Sequence, residues 1–178
     1  MKIAGRSVLW NPVRYCAYFC EENVWHLCSD RSATDVAVEE RKVVFISNGR
    51  GQVVLHHQRA GAGGPVVWDY HVVLLAGGKI WDLDTTLGFG VEVERWVRES
   101  FFPIDPDRAP RFRVVDAPTF LKTFASDRSH MKGPDGRPLK PPPPWPPIGQ
   151  GMTLMRFVDV ETPFVGECVD LDAFLRLK

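Results

Sequence analysis

The sequence predicts an α+β fold, and three observations carry that prediction. Apolar residues recur at helical spacing early in the chain. Strand-like runs bounded by glycine-rich turns follow, and only short helical patterns come after them. Helix first and sheet afterwards departs from the strict strand–helix alternation of parallel α/β folds. Tight turns between successive runs call for an antiparallel arrangement, so the expected architecture is a central antiparallel sheet packed against helices. A length of 178 residues gives room for one sizeable core, and residues 1–178 are read as a single domain.

The elements follow in order. After the turn-like Asn11-Pro12, residues Cys20, Val24, Leu27 and Cys28 share one helical face. Glu21 and Glu22 fall in the first turn, where carboxylates suit the helix dipole, so Cys20 sits at or near a helix N-terminus. The apolar runs 42–47 and 52–57 flank Asn48-Gly49-Arg50-Gly51 and read as a strand pair joined by a turn. Residues 61–65 form a loop leading into 66–75, the most strand-like segment of the chain. That segment turns at Ala76-Gly77-Gly78 into a second strand over 79–84. Residues 91–101 fit a helix ended by Pro103, 111–115 a strand, and 118–124 a short helix with proline at its start. The run Pro141 to Pro144, followed by Trp145-Pro146-Pro147, can form neither helix nor ladder. It reads as a stiff surface connection packed on its own domain, with a ligand for SH3- or WW-type domains as the alternative. No internal repeat is present.

Composition excludes several function classes. Twenty-two basic residues balance 22 acidic ones with no basic cluster, so neither nucleic acid nor an anionic membrane is an expected partner. The longest apolar runs fall far short of the roughly 20 residues that cross a bilayer, and the first residues lack an apolar core of signal-peptide type. A soluble protein that is not secreted is expected. The four cysteines, Cys16, Cys20, Cys28 and Cys168, form no CxxC pair and no zinc-ligand spacing, so free thiols and no metal site are expected. Cys28 and Cys168 read as core residues.

Along residues 66–75, Val67, Asp69, His71 and Val73 share one face. With Gly77-Gly78 as a two-residue turn, Leu75 pairs with Ile80, Val73 with Asp82 and His71 with Asp84. Both aspartates then reach the histidine's face, Asp84 directly opposite and Asp82 diagonally. A histidine with a carboxylate partner, on a sheet packed against a helix that starts with cysteine, supplies the nucleophile, proton carrier and orienting group of a thiol hydrolase. The helix N-terminus would depress the thiol pKa and offer N–H groups to an oxyanion. The residues alone leave a second reading open, in which His71 is a satisfied core histidine. His56 and His57 point to opposite faces of a strand and make a poor metal site. The polar cluster Ser126-Asp127-Arg128-Ser129-His130 either caps the preceding helix and orders a loop or lines a substrate pocket.

Five segments carry a resemblance: FCEENVW (19–25), VFISN (44–48), GPVVWDYHVVLL (64–75), DLDT (82–85) and FASDRSHMK (124–132). In this order, and with the proline run after the last of them, they closely resemble the protein N-terminal glutamine amidohydrolase family. The resemblance implies a papain/transglutaminase-like cysteine hydrolase fold with the nucleophile at a helix N-terminus. It also implies hydrolytic deamidation of N-terminal glutamine to glutamate, with release of ammonia through a Cys thioester. The family's cysteine falls on Cys20, its histidine on His71 and its aspartate on Asp82, so the resemblance disagrees with the hairpin register over which aspartate partners His71. Expected partners are proteins or peptides with a free N-terminal Gln, and the product can be extended by an arginyltransferase in the N-degron pathway. A monomer without cofactor, in the cytoplasm or also in the nucleus, is expected.

Recognition of a free α-ammonium calls for a carboxylate or carbonyls in the pocket. Glu21, Asp69 and Asp127 are the candidates. The chain departs from the family pattern in the short turn at Gly77-Gly78, before Tyr15 and after Met152. Two other readings stand beside this one: another thiol enzyme of the same fold, either a transglutaminase or a peptidase, and a non-enzymatic module that acts through its proline run.

Overall fold

The central strand is decided by residues 42–47, where nearly every side chain is apolar and buried, so that the strand needs cover on both faces. A computed structural model describes residues 13–177, and the turn-like Asn11-Pro12 lies outside them. The elements are α1 (Cys20–Ser29), β1 (Lys42–Ser47), β2 (Val53–Leu55), β3 (Val66–Trp68), β4 (His71–Ala76), β5 (Lys79–Trp81), β6 (Val91–Glu92), α2 (Val93–Phe101), β7 (Arg111–Asp116), α3 (Ala117–Thr123), α4 (Leu154–Val158), β8 (Glu167–Val169) and α5 (Leu171–Leu175). Six strands form one antiparallel sheet in the order β6-β5-β4-β1-β7-β8, and β2 and β3 form a second, two-stranded sheet. The α+β class with an antiparallel sheet against helices is therefore what the chain adopts.

The large sheet is covered on both faces. On one, Val43, Phe45, Val72 and Leu74 pack against Val24 and Leu27 of α1, Phe120 of α3 and Phe157 of α4. On the other, Val44, Ile46, Val73 and Leu75 pack against Trp96 and Val97 of α2, Phe174 of α5, and Val53 and Leu55 of β2. Burying these side chains is the main favourable term in the fold, at about 1.5–3 kcal/mol for each large apolar group fully removed from water.

Two strand expectations are corrected. Runs 42–47 and 52–57 do not pair, because β1 already has β4 on one edge and β7 on the other. Asn48 redirects the chain: its Oδ1 accepts from the N–H groups of Arg50 and Gln52, and its Nδ2 donates to the Gln52 carbonyl. The run 66–75 is likewise two strands in two sheets. Asp69 Oδ1 accepts from the Tyr70 N–H at 3.0 Å and so removes that donor from the ladder. Asp69 thus belongs to the break and not to the face carrying His71.

The predicted hairpin register holds, with Leu75 opposite Ile80 and Ala76 opposite Lys79. Gly77 and Gly78, at φ +59° and +70°, supply the left-handed pair that a two-residue turn requires. The tail after Met152, where the sequence suggested no elements, is organised by Arg113. Its buried guanidinium donates to the carbonyls of Phe157, Thr162 and Val165. Cys28 is a core residue as expected, whereas Cys168 on the edge strand β8 is only half-buried.

Candidate functional site

The site exists because β5 stops at Trp81. Its last pair with β4 is Leu74 with Trp81, so the edge of β4 from His71 to Val73 has no strand beside it. The N-terminus of α1 fills that place. Cys20 is the first residue of α1, and its sulfur receives the backbone N–H of Val72. At the other end of the helix, the buried Arg41 donates to the carbonyls of Leu27, Cys28 and Asp30. Those are the acceptors a helix C-terminus leaves unpaired, so Arg41 fixes α1 against β1.

Past Trp81 the chain curls. Asp82 Oδ1 accepts from the Asp84 N–H at 2.9 Å, turning the Asp82 side chain toward His71. His71 Nε2 and Asp82 Oδ1 are 2.9 Å apart, both deeply buried. Asp82 Oδ2 accepts from Gln58 Nε2 at 3.1 Å and Trp96 Nε1 at 3.3 Å. Trp68 stacks on the imidazole, with centroids 5.7 Å apart and planes 14° from parallel. The ring is thereby held with Nε2 on the carboxylate and Nδ1 as its remaining nitrogen. Asp84, which the simple register placed opposite His71, instead accepts from the Tyr15 hydroxyl at 2.6 Å. The ligand atoms of His71, Asp82 and Asp84 lie within 4.8 Å of one another. Because four donors converge on Asp82 and Asp84 accepts a hydrogen bond from the Tyr15 hydroxyl, these groups are read as a hydrogen-bonded network and not as a cation site.

Cys20 and His71 face one cavity of about 370 Å³, lined also by Trp68, Asp69, Tyr70, Asp84, His130 and the apolar rim Tyr18, Met131, Leu139 and Met155. Of the three candidates for ammonium recognition, Asp69 lines this cavity. Glu21 lies directly behind it, fully buried, with Oε2 3.7 Å from Cys20 Sγ and accepting from the Tyr70 hydroxyl at 3.1 Å. Its Oε1 has no hydrogen-bond partner and lies 3.6 Å from His130 Nε2. Asp127 is elsewhere, exposed, with its carboxylate accepting from the Ser129 N–H in its own loop.

The electrostatics differ from the simple helix-dipole expectation. Burial pushes the Cys20 thiol well above its ordinary value, and the carboxylates of Glu21, Asp84 and Asp69 push it further, against the one favourable bond from Val72. The dipole is outweighed because the first turn of α1 itself carries buried carboxylates. Burial alone would lower the pKa of His71, but Asp82, with smaller help from Asp84 and Glu21, raises it above 6.5. Burial opposes ionisation of Asp82 as well, yet the imidazole and the Gln58 and Asp84 hydrogen bonds bring it below 3.8. Burial and the neighbouring carboxylates thus favour the neutral thiol at Cys20, and Asp82 favours the protonated imidazole at His71.

Several residues of the site were not singled out from sequence. Tyr70 shows no signal there as the partner of Glu21, because a glutamate in a first turn looks like dipole decoration. Trp68 and Gln58 become visible only once the strands are in place.

A thiol at a helix start, a buried histidine fixed by aspartate and a shared cavity are the parts that a thiol hydrolase requires. Comparison with known proteins narrows the class. The profile of the family described as N-terminal glutamine amidase matches residues 15–177. The human protein N-terminal glutamine amidohydrolase is 44% identical over 155 residues, covering 82% of this chain and 76% of its own. Its Bos taurus counterpart is 43% identical over 161 residues, covering 83% and 78%. The Arabidopsis thaliana protein of the same name is 41% identical over 150 residues, covering 76% and 68%. The chain belongs to the N-terminal glutamine amidase family.

Proposed function

We propose that this protein hydrolyses the side-chain amide of glutamine at a free protein N-terminus, giving N-terminal glutamate and ammonia, with Cys20, His71 and Asp82 as the catalytic groups. The observation that carries the proposal is the buried His71–Asp82 pair at 2.9 Å, whose histidine lines the same cavity as Cys20, in a chain of this family. A helix-borne thiol against an antiparallel sheet whose strands bear the histidine also fits a papain/transglutaminase-like fold.

His71 takes the thiol proton as sulfur attacks the carboxamide carbon, and the oxyanion is met by the unpaired N–H groups at the start of α1. The imidazolium then protonates the departing ammonia, leaving a thioester. Water, deprotonated by His71, attacks the thioester, releasing glutamate and returning the proton to sulfur. Asp82 stabilises the imidazolium in both halves. The scheme calls on no metal or organic cofactor.

Selectivity for a free terminus fits an anionic cavity. Asp69 at the cavity wall and Glu21 behind it, with one buried carboxylate oxygen that accepts no hydrogen bond, are the candidates for the α-ammonium. An ammonium there would also offset the carboxylates that hold the thiol pKa up, so only a substrate with a free N-terminus fully activates the nucleophile. We place the activity in a monomer of the cytoplasm or nucleus, upstream of arginylation of the new N-terminal glutamate.

The test is ammonia release and product mass on matched peptides beginning with Gln, Asn and acetyl-Gln or carrying internal Gln, for wild type and Cys20→Ala. Conversion of the free Gln peptide alone, with a mass gain of about one dalton and loss in the variant, is expected from swapping an amide for a carboxylate. A folded wild-type protein that converts none of them refutes the proposal.

A further inference from the structure

The proline run has no part in the chemistry above, yet it is built into the catalytic helix. The chain leaves the core at Ser126, whose N–H donates to the Ile148 carbonyl at 2.8 Å, and returns at that same point. This neck is tight. Gly149 is in the left-handed region, and a Cβ there would come within 2.9 Å of the Phe124 carbonyl oxygen. Thr153, on the returning side, ties it to the outgoing side: its Oγ1 accepts from the Ala125 N–H and donates to the Thr123 carbonyl. Residues 126–148 are therefore one closed loop, and they supply His130, Met131 and Leu139 to the cavity that holds Cys20. Inside the loop, the Leu139 N–H donates to the Met131 carbonyl at 2.8 Å, tying the two apolar rim residues together.

The strongest tie holding this loop down is a buried carboxylate on α1. Glu22 is fully buried and takes a two-pronged contact from Arg128, Nε to Oε1 at 2.8 Å and Nη2 to Oε2 at 2.7 Å. Trp145 Nε1 donates to the same Oε2 at 2.7 Å, and Arg128 Nη2 also donates to the Trp145 carbonyl at 2.8 Å. The indole rests edge-on against His26, one helical turn on from Glu22. Near the start of the loop's return, Lys140 Nζ lies 4.2 Å from the ring centre of Tyr18, another cavity residue. Burying an acid two positions after the thiol is costly unless every contact is made, and here one charge secures two distant parts of the loop at once.

We propose that Arg128 and Trp145 are positioning residues: clamped on Glu22, they hold the loop 126–148 so that its residues His130, Met131 and Leu139 form a fixed wall of the substrate cavity, with the proline run as the scaffold behind that wall and not a ligand for another domain. The proposal rests on the N-terminal glutamine reading for its substrate. The clamp bears on the cavity wall and not on the sulfur, so loosening it weakens substrate binding and spares the chemical step.

The test uses Trp145→Phe, which keeps an aromatic ring near His26 and removes the N–H with the pyrrole half of the indole, and Arg128→Lys, which keeps the charge and loses the fork. Expected for both is a KM for a Gln-initiated peptide raised about tenfold with kcat within about twofold, together with faster amide hydrogen exchange confined to residues 126–148. A merely structural role gives the opposite pattern, a kcat that falls with the folded fraction and an unchanged KM. That result, or unchanged exchange in the loop, overturns the proposal. Alkylation of Cys20 by iodoacetamide, which needs no wall, should stay at the wild-type rate. If wild type converts no Gln peptide the function reading fails, while exchange in the loop still decides the clamp.

Discussion

The four donors converging on Asp82 make its substitution by asparagine a quantitative test of the site. Oδ1 accepts from His71 and the Asp84 N–H, and Oδ2 accepts from Gln58 and Trp96. In Asp82→Asn the amide oxygen can keep the first pair, which leaves an NH2 group facing two donors. Gln58 can resolve one of these conflicts. Its own Oε1 is buried without a partner, so turning its amide over presents that oxygen to the new NH2. Only the Trp96 N–H is then stranded, at a cost of about 1–3 kcal/mol. At about 2–4 °C per kcal/mol for a chain of this length, Tm should fall by about 2–12 °C. Asp82→Ala strands all four donors and should cost at least about 4 kcal/mol, taking about 1 kcal/mol for each. Activity should respond differently. Losing the carboxylate that fixes the tautomer and balances the imidazolium should lower kcat by about 10³–10⁴-fold in Asp82→Asn, although the variant stays folded. Thermal unfolding by circular dichroism and ammonia release by the same samples check both numbers. A folded Asp82→Asn enzyme with kcat near wild type refutes the assigned role of Asp82. An asparagine variant as unstable as the alanine one refutes the Gln58 rearrangement.

Further predictions follow from charges and buried bonds. The acidic limb of kcat/KM should lie above pH 6.5, because Asp82 raises the pKa of His71, and it should move to lower pH in Asp82→Asn, where burial is opposed only by the smaller effects of Asp84 and Glu21; an unmoved limb assigns that limb to another group. His71 is raised and Asp82 lowered, so the pair's contribution to stability is full between about pH 3.8 and 6.5. It should fade as pH rises through the raised His71 value or falls through the depressed Asp82 value, which urea midpoints across pH will reveal. Glu21→Gln keeps an acceptor for the Tyr70 hydroxyl but removes the carboxylate that most strongly holds the Cys20 thiol up. Iodoacetamide should then react faster at neutral pH, while KM for a free Gln peptide rises and discrimination against acetyl-Gln shrinks. Slower alkylation would contradict this electrostatic account. Arg41→Met strands the carbonyls at the end of α1 and should lower the unfolding free energy by about 3 kcal/mol or more, read from the urea midpoint. A loss below about 1 kcal/mol would mean that water replaces the guanidinium there.

The sequence makes plain whatever depends on near neighbours in the chain. The helix from Cys20, the two-residue turn at Gly77 and Gly78 and the proline-started helix α3 each rest on spacing or backbone freedom that a few residues reveal. The hairpin arithmetic was sound and still chose Asp84 over Asp82, because a register assumes that both strands continue. The chain leaves β5 after Trp81, and it is the Asp82–Asp84 backbone bond that aims the first acid at His71. What misled the strand pairing of 42–57, and split 66–75, was again a local side-chain bond, Asn48 and Asp69 each taking a backbone group that a ladder would have used. The buried charges were the least legible features of all. Glu21, Glu22, Arg41 and Arg113 look like surface residues in any window of sequence, and their meaning lies in partners up to 123 residues away, as between Glu22 and Trp145. That same property gives them physical weight: a buried charge is tolerated only where the whole fold answers it, so each one marks a place where distant segments are held in register. In this protein three of the four act on α1, at its start through Glu21 and Glu22 and at its end through Arg41. The fold has spent its most demanding interactions on fixing the helix that presents Cys20 to His71.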